Sequence, residues 1–205
     1  MSAPSGGSFG GFGSQVSPEL QAKVAYNSAV KQVEKADKLQ ESAATLSDEK
    51  KKARALTDAQ SAYSAALGKF AQVLKVSSRM PEAWNYVGYT SRKLGNYEDA
   101  LKAYSNALLL RPGYPEAIEY RGEAFLAVNR ISDAQQSYLD LFAGNRTLAD
   151  KLLEAMKSWI ASRRSASAAG DATAVDDLDH WVQERAQIAA QTASLTRDGT
   201  AASWQ

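Results

Sequence analysis

Residues Ala83 to Pro112 read AWNYVGYTSRKLGNYEDALKAYSNALLLRP, and this stretch decides the fold. Eight of the residues around it return unchanged 34 positions later: Pro81/Pro115, Glu82/Glu116, Ala83/Ala117, Tyr86/Tyr120, Gly88/Gly122, Asp99/Asp133, Ala100/Ala134 and Tyr104/Tyr138. A unit of this length is a helix-turn-helix that cannot bury its apolar face alone and must stack on copies of itself. Within the first copy the pattern predicts one helix from Pro81 to Leu94, a turn at Gly95-Asn96, and a second helix from Tyr97 to Leu110. Proline suits a first helical position because its missing N–H would find no partner there. Pro112 cannot continue the second helix, and Gly113 permits the chain to reverse.

Trp84, Val87, Gly88, Ser91, Tyr97, Ala100, Tyr104, Ala107 and Pro112 fall at the signature spacing of the tetratricopeptide repeat (TPR), and the chain resembles that family, in its bacterial type. The second copy supplies Ile118, Arg121, Gly122, Phe125, Ile131, Ala134, Tyr138 and Leu141. The resemblance implies an all-α fold: a TPR-like α-solenoid of antiparallel helix pairs with flanking capping helices. Arg121 stands where the family has leucine, and the closing proline is missing after Phe142, so the array is expected to hand over to a cap there. The resemblance also implies a concave groove lined by the first helix of each pair. Its candidate partner-binding residues are Glu82, Asn85, Tyr86, Tyr89, Arg92 and Lys93, then Glu116, Glu119, Tyr120 and Glu123. A TPR subclass grips a chaperone's terminal carboxylate with Lys and Asn. At the comparable positions this chain has Asn85, Tyr89 and Tyr120, so that clamp pattern is absent.

The flanks divide by composition. Residues 1–17 are a Gly/Ser-rich segment with no apolar period, expected to be a flexible tail in which Phe9 and Phe12 stand out. Residues 18–76 are expected to form two long helices, starting at Ser17-Pro18 and at Ser47-Asp48. The expected buried stripe of the first is Leu20, Val24, Val30, Val33, Ala36, Leu39 and Ala43. Ala66, Leu67, Phe70 and Leu74 in the second lie one period before Ala100, Leu101, Tyr104 and Leu108, which marks a degenerate repeat half. The repeats themselves occupy 81–114 and 115–145. Capping helices follow over 147–195, carrying Trp159 and Trp181, and 196–205 is expected to be a loose tail containing Trp204.

Composition narrows the function. A net charge of +1 offers no general electrostatic grip on nucleic acid. The absence of cysteine removes thiol catalysis, disulfides and thiolate metal sites. No apolar run is long enough to span a bilayer, and the N-terminus as written has no h-region. The expected compartment is cytoplasmic as written, or periplasmic if an export signal was removed. His180 is the single histidine and has no nucleophile or orienting partner at a recognisable spacing. Asp171, Asp176, Asp177 and Asp179 are read as helix-start charges rather than metal ligands. The expected protein is therefore no enzyme and carries no cofactor or metal. It is a protein-protein interaction module, an adaptor or assembly/co-chaperone factor presenting its groove to a protein or peptide. The alternative is an oligomerising structural subunit whose long terminal helices make the subunit contacts. A small-molecule carrier would rest on Trp159 and Trp181 alone.

Overall fold

The computed structural model describes residues 17–166 and 172–197. The expectations for 1–16, for the stretch between 166 and 172 and for the end of the chain, with Phe9, Phe12, Asp171 and Trp204, lie outside the described residues. Eight helices and no strands occur among those described: α1 (Pro18–Thr45), α2 (Glu49–Val76), α3 (Pro81–Lys93), α4 (Tyr97–Leu110), α5 (Pro115–Ala127), α6 (Ile131–Gly144), α7 (Arg146–Ser165) and α8 (Ala172–Arg197). They pair in chain order as antiparallel hairpins, and the second helix of each pair packs on the first helix of the next. Contacts between α1 and α3, α3 and α5, and α5 and α7 complete the stack. This is the α-solenoid that the 34-residue period requires.

The local signals explain where the helices start. Ser17 Oγ accepts from the Leu20 amide at 3.3 Å, with Pro18 in the first turn. Asp48 accepts from the amides of Lys50 and Lys51 at 2.9 and 3.1 Å, and Asn145 accepts from Leu148 at 3.1 Å. Each satisfies donors that the first turn leaves without a helical partner.

The turns inside the two repeats match each other. Gly95 has φ +83° and Asn129, one period later, has φ 62°. In each turn one amide reaches back five residues and its neighbour reaches back three: Asn96 to Ser91 and Gly95 to Arg92, then Arg130 to Phe125 and Asn129 to Leu126. This pair of bonds closes a helix through a left-handed residue. Asparagine is one of the few side chains that adopt this conformation readily, so it replaces glycine without a change of turn.

Two apolar clusters form the core. One joins α4 to α8 around Tyr104, Tyr138, Leu141, Leu152, Met156, Leu178 and Val182. The other joins α1, α2 and α3 around Tyr63, Phe70 and Val73. The α1 seam differs from the expected stripe. Ala22, Ala29, Ala36 and Ala43, seven residues apart, are its buried residues along with Val33, while Leu20 and Val24 are 51% and 61% exposed. A column of methyl groups lets α2 approach closely along the whole length, whereas leucines in that column would hold the helices apart. Ala59, Ala62 and Ala66 answer it from α2.

Gly88 and Gly122 leave space for different neighbours. A Cβ on Gly88 would lie 2.5 Å from Tyr104 Cε1, the α4 ring that fills the notch. A Cβ on Gly122 would lie 2.6 Å from Leu152 Cδ2, so there the notch receives the next pair of helices. The α7–α8 pair thus caps the array by continuing its packing rule. At its far end Arg164 binds Asp176 and Asp179 at 2.8 and 3.0 Å, tying the acidic start of α8 to the end of α7.

Candidate functional site

The first helices of the first three pairs, α1, α3 and α5, share one side of the stack and enclose a hollow of about 300 Å³. Val33, Glu34 and Asp37 line it from α1, Asn85, Tyr86 and Tyr89 from α3, and Tyr114, Glu116 and Tyr120 from the start of α5. The spacings of three and four residues bring these positions onto one helical face.

An aromatic and polar network fixes its walls. Tyr86 stacks on Phe70 at 5.0 Å between ring centroids and meets Tyr26 edge-on at 6.0 Å. Tyr89 lies 5.1 Å from Tyr120 and 6.4 Å from Tyr63. The hydroxyls of Tyr63 and Tyr89 both donate to Asp37 Oδ1, the latter at 2.7 Å. Burial and then the bond to Asp37 raise the Tyr89 hydroxyl well above its ordinary range, so it remains a donor at every physiological pH. Three helices are joined through one carboxylate.

Behind the hollow lies a second polar group. Arg92 is bonded to Glu123, with its guanidinium 5.6 Å from the Tyr89 ring centroid and 5.5 Å from that of Tyr120. Glu119, one turn before Glu123, is 1% exposed, and its Oε2 has no hydrogen-bond partner among the described residues. Burial first, and then the neighbouring Glu123 carboxylate, push the Glu119 carboxyl up to about 8. It therefore holds its proton at neutral pH, which spares the interior a second negative charge.

Of the ten residues expected to line the groove, the hollow brings together Asn85, Tyr86, Tyr89, Glu116 and Tyr120. Glu82 is bound to Arg111, Lys93 donates to Gln40 at 2.9 Å, and Arg92, Glu119 and Glu123 form the group behind it. Val33, Glu34, Asp37 and Tyr114 were not on the expected list. The three from α1 have no counterpart at the 34-residue period, because α1 and α2 have 28 residues each against 13 and 14 in α3 and α4. Their available signal was local: three residues on one face of a helix that begins a hairpin.

Asn85 is the member with an unmet need. It is 5% exposed, it lines the hollow, and its Oδ1 accepts no hydrogen bond among the described residues. Away from this face, His180 is a surface residue of α8, 3.4 Å from Glu184 Oε1. Among the described residues, no helix is long and apolar enough to cross a membrane.

The Tetratricopeptide repeat family model matches residues 81–114. Among solved structures, the chain is similar to the first TPR of Spaghetti (RPAP3) bound to the HSP90 peptide SRMEEVD. The two share 17% identity with a TM-score of 0.44, over 62% of this chain and 94% of that one. No curated protein matches the chain. The matched segment coincides with the α3–α4 hairpin and its neighbours continue the same stacking, so the chain carries a tetratricopeptide repeat at residues 81–114 within a TPR-like α-solenoid.

Proposed function

We propose that this chain is a non-catalytic interaction module, an adaptor or assembly/co-chaperone factor, that holds an extended or helical segment of a partner protein in the hollow between α1, α3 and α5. The observation that carries this reading is Asn85, which lines a tyrosine-rich concavity and whose buried acceptor has no hydrogen-bond partner among the described residues. A peptide segment supplies N–H groups for such an acceptor and side chains for the rings around it.

The absence of native cysteine allows a clean test. Glu116→Cys places one thiol in the hollow, and Leu109→Cys places one at an α4 position that is 81% exposed. Coupling a bulky maleimide to the first is expected to reduce recovery of the partner in affinity capture at least tenfold, while the same adduct at position 109 leaves it unchanged. Equal recovery from both adducts removes the hollow from the function.

A second reading, an oligomerising structural subunit, has one observation of its own. Leu20 and Val24 are exposed at the start of α1, and Val76 is 47% exposed at the end of α2. The two places lie at the same end of the antiparallel hairpin, where a second chain would cover them. On the adaptor reading, light scattering of the purified chain gives the mass of a monomer. A concentration-independent multiple that Leu20→Ser with Val24→Ser dissolves would establish the subunit reading instead.

A further inference from the structure

We infer that the occupant of the hollow is a cationic side chain, an arginine carried on an extended segment of the partner. The inference rests on the proposed docking role and specifies its chemistry.

The lining has carboxylates and no cation. Glu34, Asp37 and Glu116 face the hollow together with Asn85 and four tyrosines, and no Lys or Arg is among the lining residues. The nearby cations already have partners, and three of the hollow's tyrosine rings carry them: Arg92 lies against Tyr89 and Tyr120, Lys93 lies 5.4 Å from the Tyr89 centroid, and Arg111 lies over Tyr114. Arg92 is bound to Glu123, Arg111 to Glu82 while lying 4.7 Å over the Tyr114 ring, and Lys93 to Gln40. Glu34 and Glu116, by contrast, are exposed and make no ion pair among the described residues, although Lys31 and Lys38 lie one turn away from Glu34 on α1.

Asn85 gives a separate reason. Its unpartnered acceptor is buried at the wall of this same concavity, so it asks for a donor. A guanidinium has five N–H donors and no acceptor. Asn85 and the two free carboxylates each suit that group. A carboxylate or phosphate would meet like charge from three sides. The volume of about 300 Å³ also lies at the small end of the range for binding cavities, suited to one side chain rather than a whole small molecule.

The test is selection of a random dodecapeptide phage library on the immobilised full chain, followed by calorimetric titration of the selected peptides. Enrichment of arginine is expected, with replacement of that arginine by glutamine weakening binding at least tenfold. Glu34→Gln with Glu116→Gln, both at exposed positions, is expected to weaken the arginine peptide about tenfold and to flatten its salt dependence. Selected peptides that are acidic or purely apolar, and that the Glu116→Cys adduct displaces, would overturn the cationic inference and leave the docking role standing. Arginine peptides that neither the adduct nor the double substitution affects bind elsewhere and overturn the inference. Failure to select any peptide that the adduct displaces counts against both.

Discussion

Gly88→Ala is expected to lower the melting temperature of the chain, while Gly68→Ala raises it. The new Cβ at position 88 falls 2.5 to 2.8 Å from three ring atoms of Tyr104. That ring is fully buried, with Tyr120 6.3 Å away, so the ring cannot swing clear without displacing the α3–α4 crossing. Overpacking of this kind costs about 1–3 kcal/mol, and Gly88→Leu is expected to cost more and to broaden the transition. At Gly68, on the exposed side of α2, the same methyl meets nothing within 4 Å. There only the backbone term remains, and alanine is expected to add about 0.5–1 kcal/mol. Circular dichroism melts of both variants decide the matter. A Gly88→Ala protein as stable as the parent would mean that the helices do not cross at that glycine.

The second large effect is expected at Arg92. Its side chain and that of Glu123 are 15% and 26% exposed, so Arg92→Leu leaves a mostly buried carboxylate beside Glu119 with no cation. Fully buried pairs lose about 3–5 kcal/mol when one partner is removed. The residual exposure of Glu123 argues for about 2–4 kcal/mol here, or a fall in melting temperature of about 5–15 °C for a chain of this size. The loss is expected to be largest above pH 8, where Glu119 also gives up its proton, and smaller near pH 5.

Glu119 sets the sign of the pH dependence in the parent. Its carboxyl is raised in the folded chain, so the native state keeps a proton that the unfolded state releases. Its contribution to stability is intact below the unfolded value and declines as pH rises to about 8. Glu119→Gln keeps the hydrogen-bonding shape without the ionisation, and it is expected to flatten the melting-temperature profile between about pH 4.5 and 8. A parent profile already flat over that interval would show that Glu119 does not hold its proton.

The repeat was legible because it is written twice. Gly88 and Gly122, Tyr104 and Tyr138, and the two left-handed turn residues Gly95 and Asn129 each sit one period apart. That spacing fixes helix length, turn and stacking together, and with them the positions of Tyr86 and Tyr120 on the inner face. The α1–α2 hairpin was harder to read, since its seam relies on alanines seven apart rather than on large apolar residues. Alanine favours helix wherever it occurs, so sequence alone does not distinguish a buried column of it from an exposed one. For the same reason Leu20 and Val24 looked like core residues.

The electrostatic detail of the inner face was less legible still. Asn85, Glu119 and Asp37 are ordinary polar residues in the sequence. Burial distinguishes them: it leaves one without a donor and one with a proton, and it bonds the third to two phenols. Such distinctions depend on helices far apart in the chain, as in the 52 residues between Asp37 and Tyr89.

That bond between Asp37 and the two phenols has a mechanical consequence. It rivets the first hairpin to the second, so their relative placement is fixed through one carboxylate of the hollow. On the proposed docking role, a host stiffened in this way would give up little freedom on association, and the ordering penalty would fall on the incoming segment. Stiffening that segment in advance, by cyclisation for example, would then tighten the complex mainly by prolonging its lifetime.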